Sequence, residues 1–419
     1  MNILVLAPQW PDPPRQGAAI RNLQILLYLS QRHAVTLLTF EPDGPVDRSR
    51  LESACNRIEI VPRPERGRLQ RLRALARSRL PDMALRLESD AMLRRVEEIA
   101  GSVDFDAIHV EGIEMARYGF AAMEAQRSKH GSKAPRLTYD AHNAEYLLQR
   151  RVFTTDLRNP RRLPRSLYSL VQWWRLRRFE RELCLASANI IAVSSADQTA
   201  LKRLAPLIAP RLLLLPNGVD PAYWSRDAVE AKPVQEDVRA LVFDGTMDFR
   251  PNVDAVLWFA EKVWPAIRRE NPDVQFYIVG RNPSPQVLSL LKNPGITVTG
   301  AVDDTRPWVA GATLYVVPMR MGGGVRLKVL QAMSMGCAVV STPMGADGIA
   351  VRDRTDLVLA REPSEFARQV NLLLADPARR KELGTSARER VTTLYAWSTL
   401  LPLLDSVYPH RASTTHEII

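Results

Sequence analysis

Short apolar runs rich in Val, Ile and Leu recur along this 419-residue chain, and a polar or glycine turn and a stretch of helical period follow most of them. A run of four to seven such residues bounded by turn signals reads as a buried strand, and apolar positions three and four apart read as one face of a helix. The pattern predicts strands at 2–7, 35–40, 58–61, 107–111, 136–139, 190–193 and 212–215, and a second series at 240–243, 275–279, 296–299, 313–317 and 338–342. The clearest unit is the last. A strand leads into Gly322, Gly323 and Gly324, then into a helix with Val325, Val329, Ala332 and Met333 on one face, a stop at Gly336 and a second β-branched run. Strand, turn, helix and strand make a βαβ unit. Repeated through the chain, that unit predicts the α/β class, with two tandem doubly wound, Rossmann-like parallel sheets.

Further helices are expected at 17–32, 252–264, 363–375 and 378–392. The composition turns Pro- and charge-rich and loses its helical period between 205 and 230, which sets domains of 1–205 and 206–392. A last apolar helix, 393–410, is expected to pack back on the first domain, with a disordered tail at 411–419. Two segments depart from the repeat. Residues 67–95 carry leucines at helical spacing with arginines between them, a pattern that fits either a surface helix with one face in the core or a helix lying on an anionic membrane. Residues 158–181 place Trp173 and Trp174 beside Arg175, Arg177 and Arg178. Such a mixture can stack on bases, sit at the headgroup level of a membrane or fill a groove in the protein.

Composition narrows the class. A hydrophobic fraction of 46% is that of a globular protein, and 419 residues exceed one ordinary core. The net charge of +11 points to an anionic partner. Cys55, Cys184 and Cys337 are odd in number, widely spaced and without metal-ligand spacing, which fits a reducing compartment. The N-terminus reads as a first strand and not as a signal peptide, and no run of about 18 apolar residues predicts a spanning helix. The expected location is cytoplasmic, with peripheral attachment to the inner face of the membrane through the two Arg-rich segments.

The candidate chemistry lies at strand ends. Four successive strands of the second series finish in glycine, at Gly245, Gly280, Gly300 and Gly322 to Gly324. Glycine lets a ligand approach the backbone, and the helix after the triple glycine starts with uncovered N–H groups that suit an anion. Arg326 and Lys328 add positive charge there, and Arg250 stands near the first of these turns. Together they predict a diphosphate site at 323–328. In the first series, 107–111 ends at His109 and Glu111, and 136–139 leads into Asp140, His142 and Asn143. His142, flanked by hydrogen-bonding side chains, is the catalytic candidate, whereas His109 lies within its strand and reads as a core histidine. Gly17, Ala18 and Ala19 open the first helix, either to admit a substrate or as a plain tight turn. With no G-x-G-x-x-G there, a dinucleotide fingerprint is unsupported.

Six stretches carry a resemblance: PNGVD at 216–220, FDGTMDFRPN at 243–252, YIVGR at 277–281, VTGAVDD at 298–304, GGGVRLKVLQAMSMG at 322–336 and DAHNAEY at 140–146. With these, nearly the whole chain resembles the GT-B glycosyltransferases, and most closely the family 4 retaining enzymes that use nucleotide-sugar donors. DGTMDFRPN is similar to the branch found in bacterial exopolysaccharide clusters. The resemblance implies two domains facing a cleft, an acceptor-binding first domain and a donor-binding second one. It implies that Gly245 lies near the donor diphosphate, that Arg250, Arg326 and Lys328 neutralise it, and that backbone N–H groups of Gly323 and Gly324 meet the phosphate or the sugar. Gly280, Arg281 and Val302 would border the base, Gly17 would stand at the donor, and DAHNAEY would be the catalytic-histidine turn. The family has two glutamates eight positions apart, where this chain has Gly323 and Gln331. Gln331 keeps an acceptor for the ribose hydroxyls but not the charge.

The implied activity is transfer of a hexosyl group from a nucleotide sugar to a saccharide or lipid-linked acceptor, in cell-surface polysaccharide synthesis and with retention. Neither a metal nor a cofactor is expected, because a helix start and a pair of cations can stabilise the departing diphosphate. A non-catalytic nucleotide-sugar-binding partner of a polysaccharide assembly complex is the alternative. An epimerase on a similar scaffold is another, and nucleic acid is not an expected partner.

Overall fold

The computed structural model describes residues 1–14, 17–42, 44–67, 78–130, 134–157, 163–230, 233–234, 238–322 and 326–409. The chain divides into two units, one formed by residues 1–216 with the segment from 401 onward, the other by residues 217–400.

The first unit holds seven strands: β1 (Asn2–Ala7), β2 (Ala34–Phe40), β3 (Arg57–Val61), β4 (Ala107–Glu111), β5 (Arg136–Ala141), β6 (Asn189–Ala192) and β7 (Leu212–Leu214). They form one sheet in the order β3-β2-β1-β4-β5-β6-β7, every pair parallel. Because helices cover both faces, the central strands are buried residue after residue, and this is why they read as unbroken apolar runs. The strand order reverses between β1 and β4, which marks the switch point of a doubly wound sheet. Leu212–Leu214 pairs with β6, and the first unit runs on to residue 216, beyond the expected limit of 205.

The second unit repeats the plan with β8 (Ala240–Asp244), β9 (Gln275–Val279), β10 (Ile296–Gly300), β11 (Leu314–Val317), β12 (Val339–Ser341) and β13 (Val358–Leu359). The order is β10-β9-β8-β11-β12-β13, again all parallel, with the switch point between β8 and β11. Its core joins both sheet faces to the helices Pro363–Ala375 and Pro377–Tyr395. Asp376 caps the second of these by accepting from the Arg379 N–H at 2.9 Å, and Pro377 occupies the first turn, where its missing N–H costs nothing.

Two expected helices differ. The helix after β8 runs over Arg250–Trp258, widens into a π turn at Phe259–Val263 and resumes at Trp264–Glu270. Pro265 is the reason, since a proline inside a helix removes one backbone bond and crowds the preceding turn. The apolar segment after residue 393 is not a single helix: Pro377–Tyr395 ends, Trp397–Leu400 follows, and a 3₁₀ stretch, Leu401–Ser406, belongs to the first unit. There Tyr28 donates to Asp405 at 2.9 Å, and the Tyr408 hydroxyl lies 2.7 Å from His109 Nδ1. The 411–419 tail lies outside the described residues.

Of the two Arg-rich segments, residues 68–77 and 158–162 lie outside the described residues. The rest of the first is turn-rich up to Ser89, which caps the helix Asp90–Ser102, and its Ala84, Leu85 and Leu87 are buried in the first unit. These leucines therefore serve a core. The second segment becomes a long helix, Leu163–Ala186, packed along Glu145–Leu157. Trp173 stacks on Phe153 in the groove between them, at 6.1 Å with the rings 13° apart, while Trp174 is 61% exposed.

Candidate active site

At the carboxyl edge of the second sheet, β8, β9 and β10 lie side by side and each ends at a glycine. Gly245 donates to Val279 O at 2.9 Å, and Gly280 donates to Gly300 O at 3.1 Å. A Cβ on Gly280 would fall 1.8 Å from Gly245 O, and both glycines have positive φ, +144° and +153°. Two backbones thus touch where any side chain would part them. The loops beyond are joined as well, with the Met247 N–H donating to Arg281 O at 2.8 Å.

Lys328 meets this edge from the first turn of the helix Leu327–Ser334, which follows β11 across the switch point. Its ammonium donates to Asp244 O and, at 3.2 Å, to Asn252 Oδ1, and it lies 4.0 Å from the centre of the Phe243 ring. A Cβ on Gly245 would stand 2.7 Å from Lys328 Nζ and 2.7 Å from Asn252 Nδ2, so this position too requires glycine. The Asp244 carboxylate is engaged by the Tyr315 hydroxyl. Burial lowers Lys328 to about 8, opposed by the attraction of Asp244 and reinforced by Arg326. The Arg326 guanidinium packs on Gly322, whose φ of +131° again suits glycine, and burial lowers it as well. The arrangement concentrates positive charge beside the glycine strand ends, a setting that suits an anion such as a diphosphate.

Of the other expected donor residues, Arg281 and Val302 are half-buried after β9 and β10, with Val302 packed on the core, and Gln331 is half-buried one turn beyond Lys328. Arg250 is the exposed first residue of its helix and is not among the groups around Lys328. Gly323 and Gly324 lie outside the described residues. Asn252 was missed: in the sequence it reads as an ordinary helix-start residue, and only the fold brings it to Lys328.

In the first unit, Gly17 opens the helix Gly17–Ser30 and His142 follows β5. Residues 140–146 are pinned at several points. Arg21 donates to both Asp140 oxygens at 2.8 Å and to Leu215 O at 2.9 Å, with Arg21 and Asp140 both buried. The Ala144 N–H donates to Asp197 Oδ1 at 2.9 Å. The N–H groups of Glu145 and Tyr146 donate to the Glu180 carboxyl group at 3.0 and 2.8 Å, so Glu180 caps the helix that follows. Burial raises Glu180 to about 8. His142 is half-buried, its Nε2 has no hydrogen-bond partner among the described residues, and burial lowers its pKa. Gly112, at φ +76°, leaves room for it: a Cβ there would lie 3.0 Å from Glu114 Oε2 and 3.5 Å from His142 Nδ1. His109 is a core residue, wholly buried, held by Tyr408 and lowered by burial to about 4. Among the described residues no group of three or more His, Cys, Asp or Glu is arranged to hold a metal ion.

Two family models match. "Glycosyltransferase Family 4" covers residues 15–223 and "Glycosyl transferases group 1" covers residues 238–376. An uncharacterized 44.6 kDa protein in the cps region of Klebsiella pneumoniae is 28% identical over 138 residues, 31% of this chain and 36% of that protein. Alpha-maltose-1-phosphate synthase of Mycolicibacterium smegmatis is 27% identical over 244 residues, 52% of this chain and 62% of that protein. The matches thus span less than two thirds of either relative. The crystal structure of Anabaena Alr3699/HepE in complex with UDP and glucose shares the fold, with a TM-score of 0.64 at 15% identity over 97% of this chain and 99% of that one.

Proposed function

The chain belongs to the GT-B glycosyltransferases of the group 1 and family 4 type, and we propose that it moves a hexosyl group from a nucleotide-sugar donor to a saccharide or lipid-linked acceptor. The observation that carries the donor class is the carboxyl edge of the second sheet, with Lys328 beside the glycine strand ends. UDP and glucose in the Anabaena protein support a nucleotide sugar, and the cps-region relative supports a role in surface polysaccharide. The sugar–oxygen bond to the diphosphate breaks and a bond to the acceptor oxygen forms. The acceptor proton leaves with the diphosphate when attack comes from the leaving-group face, which gives retention. Lys328, Arg326 and the start of the Leu327–Ser334 helix stabilise the charge that grows on the diphosphate, without a metal. His142 positions the donor or the acceptor through its uncommitted Nε2.

The test is a thermal-shift screen with nucleotide sugars followed by product analysis on saccharide and lipid-linked acceptors. Transfer with the anomeric configuration kept, unaffected by EDTA, is the expected result. Absence of any stabilising nucleotide sugar counts against the reading. Binding without transfer would instead support a non-catalytic partner, which Gly323 and Gln331 favour by replacing the family's glutamates.

The reading includes attachment to the cytoplasmic face of an anionic membrane. The outward stripe of Leu163–Ala186 is supporting: Leu167, Leu170 and Trp174, followed by Arg178 and Arg181, are all exposed and spaced three or four apart. Apolar side chains at one end and guanidinium groups at the other fit acyl chains and phosphate headgroups.

A further inference from the structure

We infer that Asn252 is a positioning residue for Lys328, holding its ammonium beside Gly245 so that it faces an incoming diphosphate. The inference rests on the donor reading above and adds a residue to it. Asn252 sits in the first turn of Arg250–Trp258, is 6% exposed and is fixed at both ends of its amide. Its Nδ2 donates to Thr246 O at 3.0 Å, which settles which way the amide points and turns Oδ1 toward Lys328 at 3.2 Å. Thr246 belongs to the same loop as Gly245, so loop, amide and ammonium form one chain of contacts. An ammonium has three donors. Asp244 O and Asn252 Oδ1 take two of them, and among the described residues no acceptor takes the third.

The chemistry of the surroundings makes this contact matter. Lys328 is half-buried, and the loss of solvent around its ammonium lowers its pKa to about 8. The charged and titratable groups that face it are few: Asp244 at the end of β8, whose carboxylate is bound by Tyr315 of β11, and Arg326 at the start of its own helix. Phe243 offers its ring face and Asn252 a neutral carbonyl. Asn252 therefore supports the ammonium without neutralising it, leaving its charge available to a ligand. A carboxylate at this position would hold Lys328 more firmly but would repel a diphosphate.

The test uses the full chain with UDP as the probe, together with Asn252→Ala and Asn252→Asp. UDP affinity of the wild-type protein is expected to fall as pH rises through the alkaline range. In Asn252→Ala that fall moves to lower pH by about one unit, and kcat/KM for the donor drops about tenfold, mostly in kcat. In Asn252→Asp the fall moves to higher pH, while UDP binds more weakly at neutral pH. The titration of Lys328, followed without nucleotide by the pH dependence of its acylation rate in mass spectrometry, should shift in the same two directions. A purely structural asparagine predicts loss of stability in both variants with the Lys328 titration unmoved, and that result overturns the inference. If the wild-type protein binds no nucleotide, the donor reading falls, and the acylation profile still decides whether Asn252 places the lysine.

Discussion

At the carboxyl edge of the first sheet, charged side chains are committed to partners within the unit. Arg21 is spent on Asp140, Asp197 on the Ala144 amide, and Glu180 on two amides at the start of a helix. At the same edge of the second sheet the strands end in glycine, backbone meets backbone, and Lys328 is held by a carbonyl and an amide and not by a carboxylate. The two sheets share an order and a switch point. Topology thus decides where a site can lie, and the residues after each strand decide what it can hold. The first edge presents a turn pinned at several points, with a His142 Nε2 that has no partner among the described residues; the second sets positive charge beside its glycine strand ends, on which the proposed donor site rests.

The contrast can be broken from either side. The largest effect is expected in the first unit. Arg21→Ala strands Asp140 in a buried setting and should cost about 3–5 kcal/mol, read as a lower denaturant midpoint. An unchanged midpoint would mean that the pair does not hold the turn. Lys328→Ala should leave stability nearly intact and reduce turnover at saturating donor at least tenfold, about 1.4 kcal/mol in the barrier. Full turnover would remove the lysine from the chemistry.

A smaller and pH-dependent effect separates the edges further. The folded protein keeps the Glu180 proton up to about pH 8, whereas an unfolded glutamate releases it near 4.3. Stability from this group is complete below the unfolded value and is lost as pH rises toward 8. Glu180→Gln should therefore flatten the decline of the denaturation midpoint between pH 5 and 8, and an undiminished slope would assign that decline to other groups. The smallest change in stability is expected for Trp174→Ala, within about 0.5 kcal/mol because the side chain is exposed. The same variant should sediment less with anionic vesicles, and equal sedimentation would detach the outer stripe from any membrane role.

Much of this architecture was legible in the sequence. Parallel strands covered on both faces leave unbroken apolar runs, and of the strand-end glycines read as room for a ligand, Gly245 and Gly280 prove to stand where two backbones touch. His109 was separable from His142 because one lies inside its run and the other beyond it. What stayed hidden depends on contacts far apart in sequence. Arg21 reads as one more charge on a helix until Asp140, 119 residues away, is found beside it. Asn252 reads as part of a helix start until Lys328, 76 positions on, arrives at its carbonyl. Arg250, more conspicuous by its charge, is exposed. The leucines of 78–95 left two readings open in the sequence, because helical spacing does not say whether an apolar face meets protein or lipid, and Leu85 and Leu87 are buried in the protein.

The return of residues from 401 onward to the first unit has a consequence for synthesis. Tyr408 and Asp405, the partners of His109 and Tyr28, leave the ribosome after every residue of the second unit. Early folding of an N-terminal domain is the usual order during translation. Here the unit that is made first must wait, with the end of its β4 histidine uncovered, for the one that is made second.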